Sequence, residues 1–246
     1  MKIAKRRSMR LRGNALHAEY NQCYAVLTNE SSSRMSQIDI MLNVMKADLD
    51  ERTSGVRIDA ACSIKWLFCS KEPSLTHTIL EKGALPVLVQ GIAEGEPEYR
   101  DACIWAVGNI ATHCKDCRDS LRSTDVIKLF SRQLADGVYE SAEEHMSTIW
   151  STGRTIREIP SIALRIDRQT AFQFVDGISR CLKSYLGNER LQYESFMALS
   201  ILLSRQTCDA PTWALLIDRL LNDTSMIDLA FKAAGDDIHS IAACGA

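Results

Sequence analysis

The residues best able to do chemistry stand together at 113–117, where His113 precedes Cys114 and Cys117. A Cys-x-x-Cys pair beside an imidazole supplies zinc ligands, but a structural zinc site takes a second pair, such as C-x2-C or H-x3-5-H. None follows at suitable spacing, so these residues read as ordinary thiols of a turn and no metal is expected. Glu143-Glu144-His145 sets two carboxylates beside a second imidazole. At the head of a helix that trio reads as a solvated polar start rather than an acid/base pair. No G-x-x-x-x-G-K-[ST] or G-x-G-x-x-G run offers backbone amides to a phosphate. A nucleophile elbow and a kinase signature are missing too. The sequence points away from an enzyme, and no cofactor is expected.

A second group, within Asp101–Asp119 (DACIWAVGNIATHCKDCRD), has the chemistry of binding. On a helical wheel with Trp105 as origin, Asn109 falls at about 40°, Asp101 at about −40° and Glu98 at about 20°. Cys103, Val107 and Ile110 fall opposite, at the spacing of a buried stripe. The expected helix is apolar on one face and shows an indole, a carboxamide and two carboxylates on the other. Such a face has two means of binding: an indole attracts a cation packed on it, for ~0.5–2 kcal/mol, and an amide hydrogen-bonds polar groups, for ~1 kcal/mol net. The bland alternative is a Trp that covers a neighbouring helix.

The elements that must position these groups are all helical. The 246 residues are 46% apolar, enough for a sizeable core or one extended array. Helix patterns run over 36–46, 56–69, 75–82, 87–92, 98–112, 140–156, 169–182, 188–204, 211–221 and 225–241. Gly83-Ala84-Leu85-Pro86 opens one of them, and Asp125-Val126-Ile127 takes the equivalent place about 42 residues on. Similar anchors recur about 42–47 residues apart, closing to about 35 at the end. Such a period without strand alternation predicts a stack of repeats. No apolar run approaches the ~18 residues of a membrane span. The nine scattered cysteines suit reduced thiols inside a cell.

Charge is uneven. Six of the 29 basic residues, Lys2, Lys5, Arg6, Arg7, Arg10 and Arg12, lie in the first twelve positions. The remainder carries about eight net negative charges, so an acidic body follows a basic start. Residues 1–35, with the Ser31-Ser32-Ser33 run, read as tail and linker, and 36–246 as the folded domain. The tail reads as a solvated arm; an Arg-rich, acid-free start also fits a mitochondrial transit peptide. The acidic body argues against nucleic acid.

WAVGNIA followed by CRD, with EKGALPVLVQGI upstream and AFKAAGDDI near the end, resembles the armadillo repeats of the importin-alpha family. The resemblance implies an all-α, right-handed superhelical solenoid of about four to five repeats. It implies a concave Trp/Asn ladder that binds basic nuclear localisation peptides for import, in cytoplasm and nucleus. Trp105, Asn109 and Trp150 would hold the peptide, with Asp101, Glu98 and Glu143 supplying a negative field. Arg154 stands where the family has Asn, and His113 where it has an acidic residue. Asp116 lies in the same turn as His113. In the first unit the pair is either Trp66 with Ser70 or Ser63 with Leu67. Met197 and Ile201 take the paired places in the fourth unit, and Lys232 and Asp236 in the last. The family's N-terminal segment binds importin-beta; KRRSMR resembles its end, which makes Lys5, Arg6, Arg7, Arg10 and Arg12 candidates for that contact. Beside the import adaptor stands a second expectation: the same fold with a decayed groove, taking an apolar or acidic partner through Tyr193, Met197 and Ile201. The C-terminus shows no clear polar cap, which leaves dimerisation through the last unit open.

Overall fold

The structure, a computed structural model, describes residues 31–46, 54–70, 72–122, 124–136, 142–158, 166–203, 208–223 and 228. The basic tail with Lys5, Arg6, Arg7, Arg10 and Arg12, and Lys232 and Asp236 near the end, lie outside the described residues. Among the described residues every regular element is a helix: α1 (Ser31–Lys46), α2 (Ser54–Leu67), α3 (Pro73–Glu81), α4 (Ala84–Glu94), α5 (Pro97–Ala111), α6 (Lys115–Arg122), α7 (Val126–Asp136), α8 (Ala142–Glu158), α9 (Arg168–Ser184), α10 (Glu189–Leu203) and α11 (Ala210–Asn222).

The chain divides into two compact units, Met1–Ile64 and Lys65–Ala246. In the first, Ile38, Leu42 and Met45 make the buried stripe of α1, at the i, i+4, i+7 spacing that puts them on one face. That helix begins at Ser31 rather than after residue 35. The serine run read as linker is its first turn, a place where Ser is tolerated far better than in a helix interior.

The second unit is a stack. Helices α4, α7, α9 and α11 pack one on the next in one layer, and α5, α8 and α10 in another. The shorter α3 and α6 close the corner, α6 packing against both α3 and α5. The first layer keeps a strict register, its helices starting at Ala84, Val126, Arg168 and Ala210 with equal steps between them. Three of these starts have a visible device. Gly83 takes φ 83°, a left-handed turn between α3 and α4 that suits a residue without a Cβ. Asp167 accepts the Thr170 N–H at 2.9 Å, and Asp209 accepts the Thr212 N–H at 2.7 Å. These are helix N-caps. Those backbone N–H groups also hold both carboxyls below the usual carboxylate range.

Close packing within each layer uses small residues. A Cβ on Gly177 of α9 would lie 2.6 Å from Leu134 Cβ and 2.8 Å from its backbone carbonyl carbon on α7. One on Gly108 of α5 would lie 2.7 Å from Ser151 Oγ on α8. Side chains then tie equivalent points of successive repeats. Gln133 donates to the Ile92 carbonyl at 3.2 Å, Arg180 to the Ala135 carbonyl, and Arg219 to Asp176 at 2.6 Å. These partners are 41 to 45 residues apart. The second unit is therefore an all-α solenoid of helical repeats.

Candidate functional site

The layer α5–α8–α10 carries the residues singled out in the sequence. Helix α5 is closed on more sides than its wheel suggests: Tyr99, Arg100, Ala102, Ile104 and Asn109 are buried along with the apolar stripe. Helix α5 packs on α4, α6 and α8, and Asn109 sits on the side facing back toward Lys65 and Cys69. It is only 6% exposed. Its Nδ2 donates to the Lys65 carbonyl at 3.3 Å and to Cys69 Sγ at 3.0 Å. The expectation of an outward amide is corrected: the group that would hold a peptide backbone holds the preceding repeat.

Trp105 is half-buried and faces forward. Its Nε1 donates to Ser147 Oγ on α8 at 2.6 Å. Its ring lies on Trp150, with centroids 4.1 Å apart and planes inclined by 37°. The Arg154 guanidinium covers the same Trp150 ring, 4.1 Å from its centroid, well inside cation–π range. The three side chains form one column. An intramolecular cation occupies the place on Trp150 where a peptide lysine would sit. Burial is the main reason the Arg154 guanidinium is less basic than usual, with neighbouring Arg157 adding to the effect.

Glu98 is exposed on the first turn of α5, and Asp101 is half-buried one turn on. Glu143 lies in the first turn of α8. Trp66 is 54% exposed, with Lys65 Nζ 5.5 Å from its ring centroid. Ser70 does not share a helix face with it. Helix α2 ends at Leu67, the Ser70 N–H bonds the Leu67 carbonyl in a tight turn, and Ser70 Oγ accepts the Glu72 N–H at 3.0 Å. The Trp66/Ser70 pairing is therefore corrected to an exposed Trp next to a turn residue.

His113 has a structural task. Its Nε2 bonds the Phe68 carbonyl at 2.6 Å, and Thr76 Oγ1 lies 3.3 Å from the ring. Ser147, Lys65 and Cys69 are the partners that sequence reasoning misses. The available signal is the position of Ser147, 42 residues after Trp105 and so one repeat on.

Beyond the column, a cavity of about 210 Å³ is bordered by Trp150, Arg154, Tyr193, Glu194, Met197 and Ile201. Tyr193 and Met197 on α10 are 62% and 40% exposed. Across it Gly153 brings α8 against Ala198 of α10. Arg157, also at its edge, pairs with Glu158 at 2.9 Å. This is a small slot of mixed character: Ile149, Met197, Ala198 and Ile201 line it, and the Arg154 and Arg157 guanidiniums share its rim with the Glu194 carboxylate. Among the described residues no three His, Cys, Asp or Glu side chains cluster as metal ligands would. No described helix is long and apolar enough to cross a membrane.

Fold and face together define a helical-repeat protein with a ladder of large side chains along one layer. No protein-family profile matches the chain. It is 33% identical over 52 residues to Importin subunit alpha-6 of Arabidopsis thaliana, and 39% identical over 44 residues to Importin subunit alpha-2 of the same plant. Those stretches take in 21% and 18% of this chain but only 10% and 8% of the relatives. Two solved structures of engineered proteins align over 80% of this chain and 96% and 94% of theirs, at 14% identity and TM-scores of 0.45 and 0.46.

Proposed function

We propose that the protein is a non-catalytic repeat scaffold that binds a segment of another protein along α5, α8 and α10. The segment lodges an apolar side chain between Trp150, Tyr193, Met197 and Ile201 and sets a carboxylate against the Arg154 rim. The observation that carries this reading is the Trp105–Trp150–Arg154 column. It fills the ladder with the protein's own aromatic and cationic groups and leaves the slot beside it open. A lysine entering there would meet two guanidiniums, Arg154 and Arg157, beside the single Glu194 carboxylate, whereas an apolar anchor meets exposed Tyr193 and Met197. The test is selection of peptides on the full chain from a random display library, followed by titration of the winners. Enrichment of a large apolar residue beside Asp or Glu is expected, with binding weakened at least about tenfold by Met197→Glu. Enrichment of lysine runs instead would overturn it.

A second reading is favoured by the local likeness to two importin alpha subunits. In it the protein is an armadillo-type import adaptor moving between cytoplasm and nucleus. Basic localisation peptides displace Arg154 and spread over Trp105 and Trp150, and the N-terminal basic cluster contacts importin-beta. Salt separates the two. Attraction between a lysine-rich peptide and an acidic surface weakens steeply as the Debye length shrinks from ~30 Å at low salt to ~8 Å at physiological salt, and docking led by an apolar anchor with one ion pair weakens far less.

A further inference from the structure

The corner between α5 and α7 is a helix rather than the bare turn expected for HCKDC. Cys114 immediately precedes α6, and Cys117 is buried in its first turn. Their Sγ atoms are 2.9 Å apart, and both are free thiols. A disulfide needs ~2.05 Å between the sulfurs, so closure asks for a shift of less than about 1 Å. The two differ in access: Cys114 is half-buried and Cys117 fully covered. The Cys117 N–H also points at Cys114 Sγ, 3.4 Å away. From this geometry we infer that Cys114 and Cys117 are a redox-active dithiol, with Cys114 attacking small disulfides of the glutathione type and Cys117 resolving the product.

The thiol chemistry supports that division of labour. A hydrogen bond from Cys117 lowers the Cys114 pKa, backed by the N–H groups of Cys117 and Asp116, while burial and, less, the Asp116 carboxylate oppose them. Burial, joined by the Cys114 partner, pushes the Cys117 thiol up to about 12. A thiolate is the attacking species, and low-pKa cysteines at helix N-termini are the reactive ones. The balance closes without a metal. Cys114 thiolate attacks one sulfur of the small disulfide, the S–S bond breaks, and one thiolate leaves and takes up a proton. Cys117 then gives its proton to solvent and attacks the Cys114 sulfur. The mixed disulfide breaks, the second small thiolate leaves, and an intramolecular Cys114–Cys117 bond remains. The chain is oxidised by two electrons and the small disulfide is reduced to two thiols. Because α6 packs against α3 and α5, and Arg118 donates to the His113 carbonyl at 2.5 Å, the bond would form at a joint between repeats.

The experiment uses the full reduced chain, exposed to oxidised glutathione near neutral pH, blocked with N-ethylmaleimide and mapped by mass spectrometry. A Cys114–Cys117 disulfide should form with release of two glutathione thiols. In the reduced protein, brief alkylation should label Cys114 at least about tenfold faster than Cys117 or Cys181. Cys117→Ser should instead accumulate glutathione on Cys114, and Cys114→Ser should do neither. Since Cys117 is buried, its variant is checked by circular dichroism, and the wild-type mapping stands without it. Cys114 and Cys117 both left as free thiols in the wild type, or glutathione held on Cys114 without closure, would overturn the inference.

Discussion

Asn109, itself buried, donates its amide hydrogens to the Lys65 carbonyl and to Cys69 Sγ. Asn109→Ala removes both bonds, and a hydrogen bond of this kind is worth ~0.5–1.5 kcal/mol. A fall in the urea midpoint is expected, and an unchanged midpoint would show that the amide bonds are idle. Asp167 makes a sharper test because it titrates. Its folded carboxyl is held below the unfolded value by the Thr170 N–H, with the Thr170 hydroxyl adding a second bond at 2.8 Å. The cap's contribution is therefore complete above the unfolded pKa of ~3.9 and is lost as pH falls through the lower folded value. Asp167→Ala should cost ~1 kcal/mol at neutral pH, with the deficit shrinking in acid; an equal deficit at both would contradict the assignment. At this scale the sequence discloses which residues are special but not whom they touch. The Trp105–Asn109 spacing is local and readable on a wheel. The Trp105–Trp150 stack joins side chains from two repeats and depends on how closely Gly108 lets α8 approach.

Between helices, glycine decides the approach. Gly177→Ala gains ~1 kcal/mol of helix propensity but drives a Cβ to 2.6 Å from Leu134 Cβ. Overpacking of that kind costs ~1–3 kcal/mol, and the neighbouring backbone carbon at 2.8 Å cannot swing away as a side chain can. A lowered melting temperature is expected. Gly55, where an added Cβ meets nothing within 4 Å, is the control: Gly55→Ala should hold or raise stability by up to ~1 kcal/mol. The opposite ordering in thermal melts would refute the packing register. Most helices are legible in the sequence because long apolar stripes at period 3.6 survive any context. The repeat register is visible at Gly83 and Asp125, while the caps Asp167 and Asp209, each with a Thr three residues on, look like ordinary polar residues until the helices behind them are placed. Helix α6 is hidden because only Cys117 and Leu121 of its residues are buried, too few to show a stripe. The start of α1 is hidden because serines read as linker until the first turn is seen to accept them.

As a whole, the second unit is a quasi-one-dimensional stack in which each repeat holds its neighbours. Its ladder face is largely self-satisfied: Asn109 looks back, Trp105 looks forward to Ser147, and Arg154 closes Trp150. That is why a motif read from one helix promises an open groove while the stack supplies a filled one. The decisive measurement is titration of a lysine-rich localisation peptide into the full chain at low and physiological salt, for wild type, Arg154→Asn and Trp105→Ala, followed by tryptophan fluorescence. The account predicts that the wild type shows no saturable binding, and that Arg154→Asn, by uncovering Trp150, gains binding that salt weakens. Tight, salt-sensitive binding by the wild type, abolished by Trp105→Ala, would contradict it.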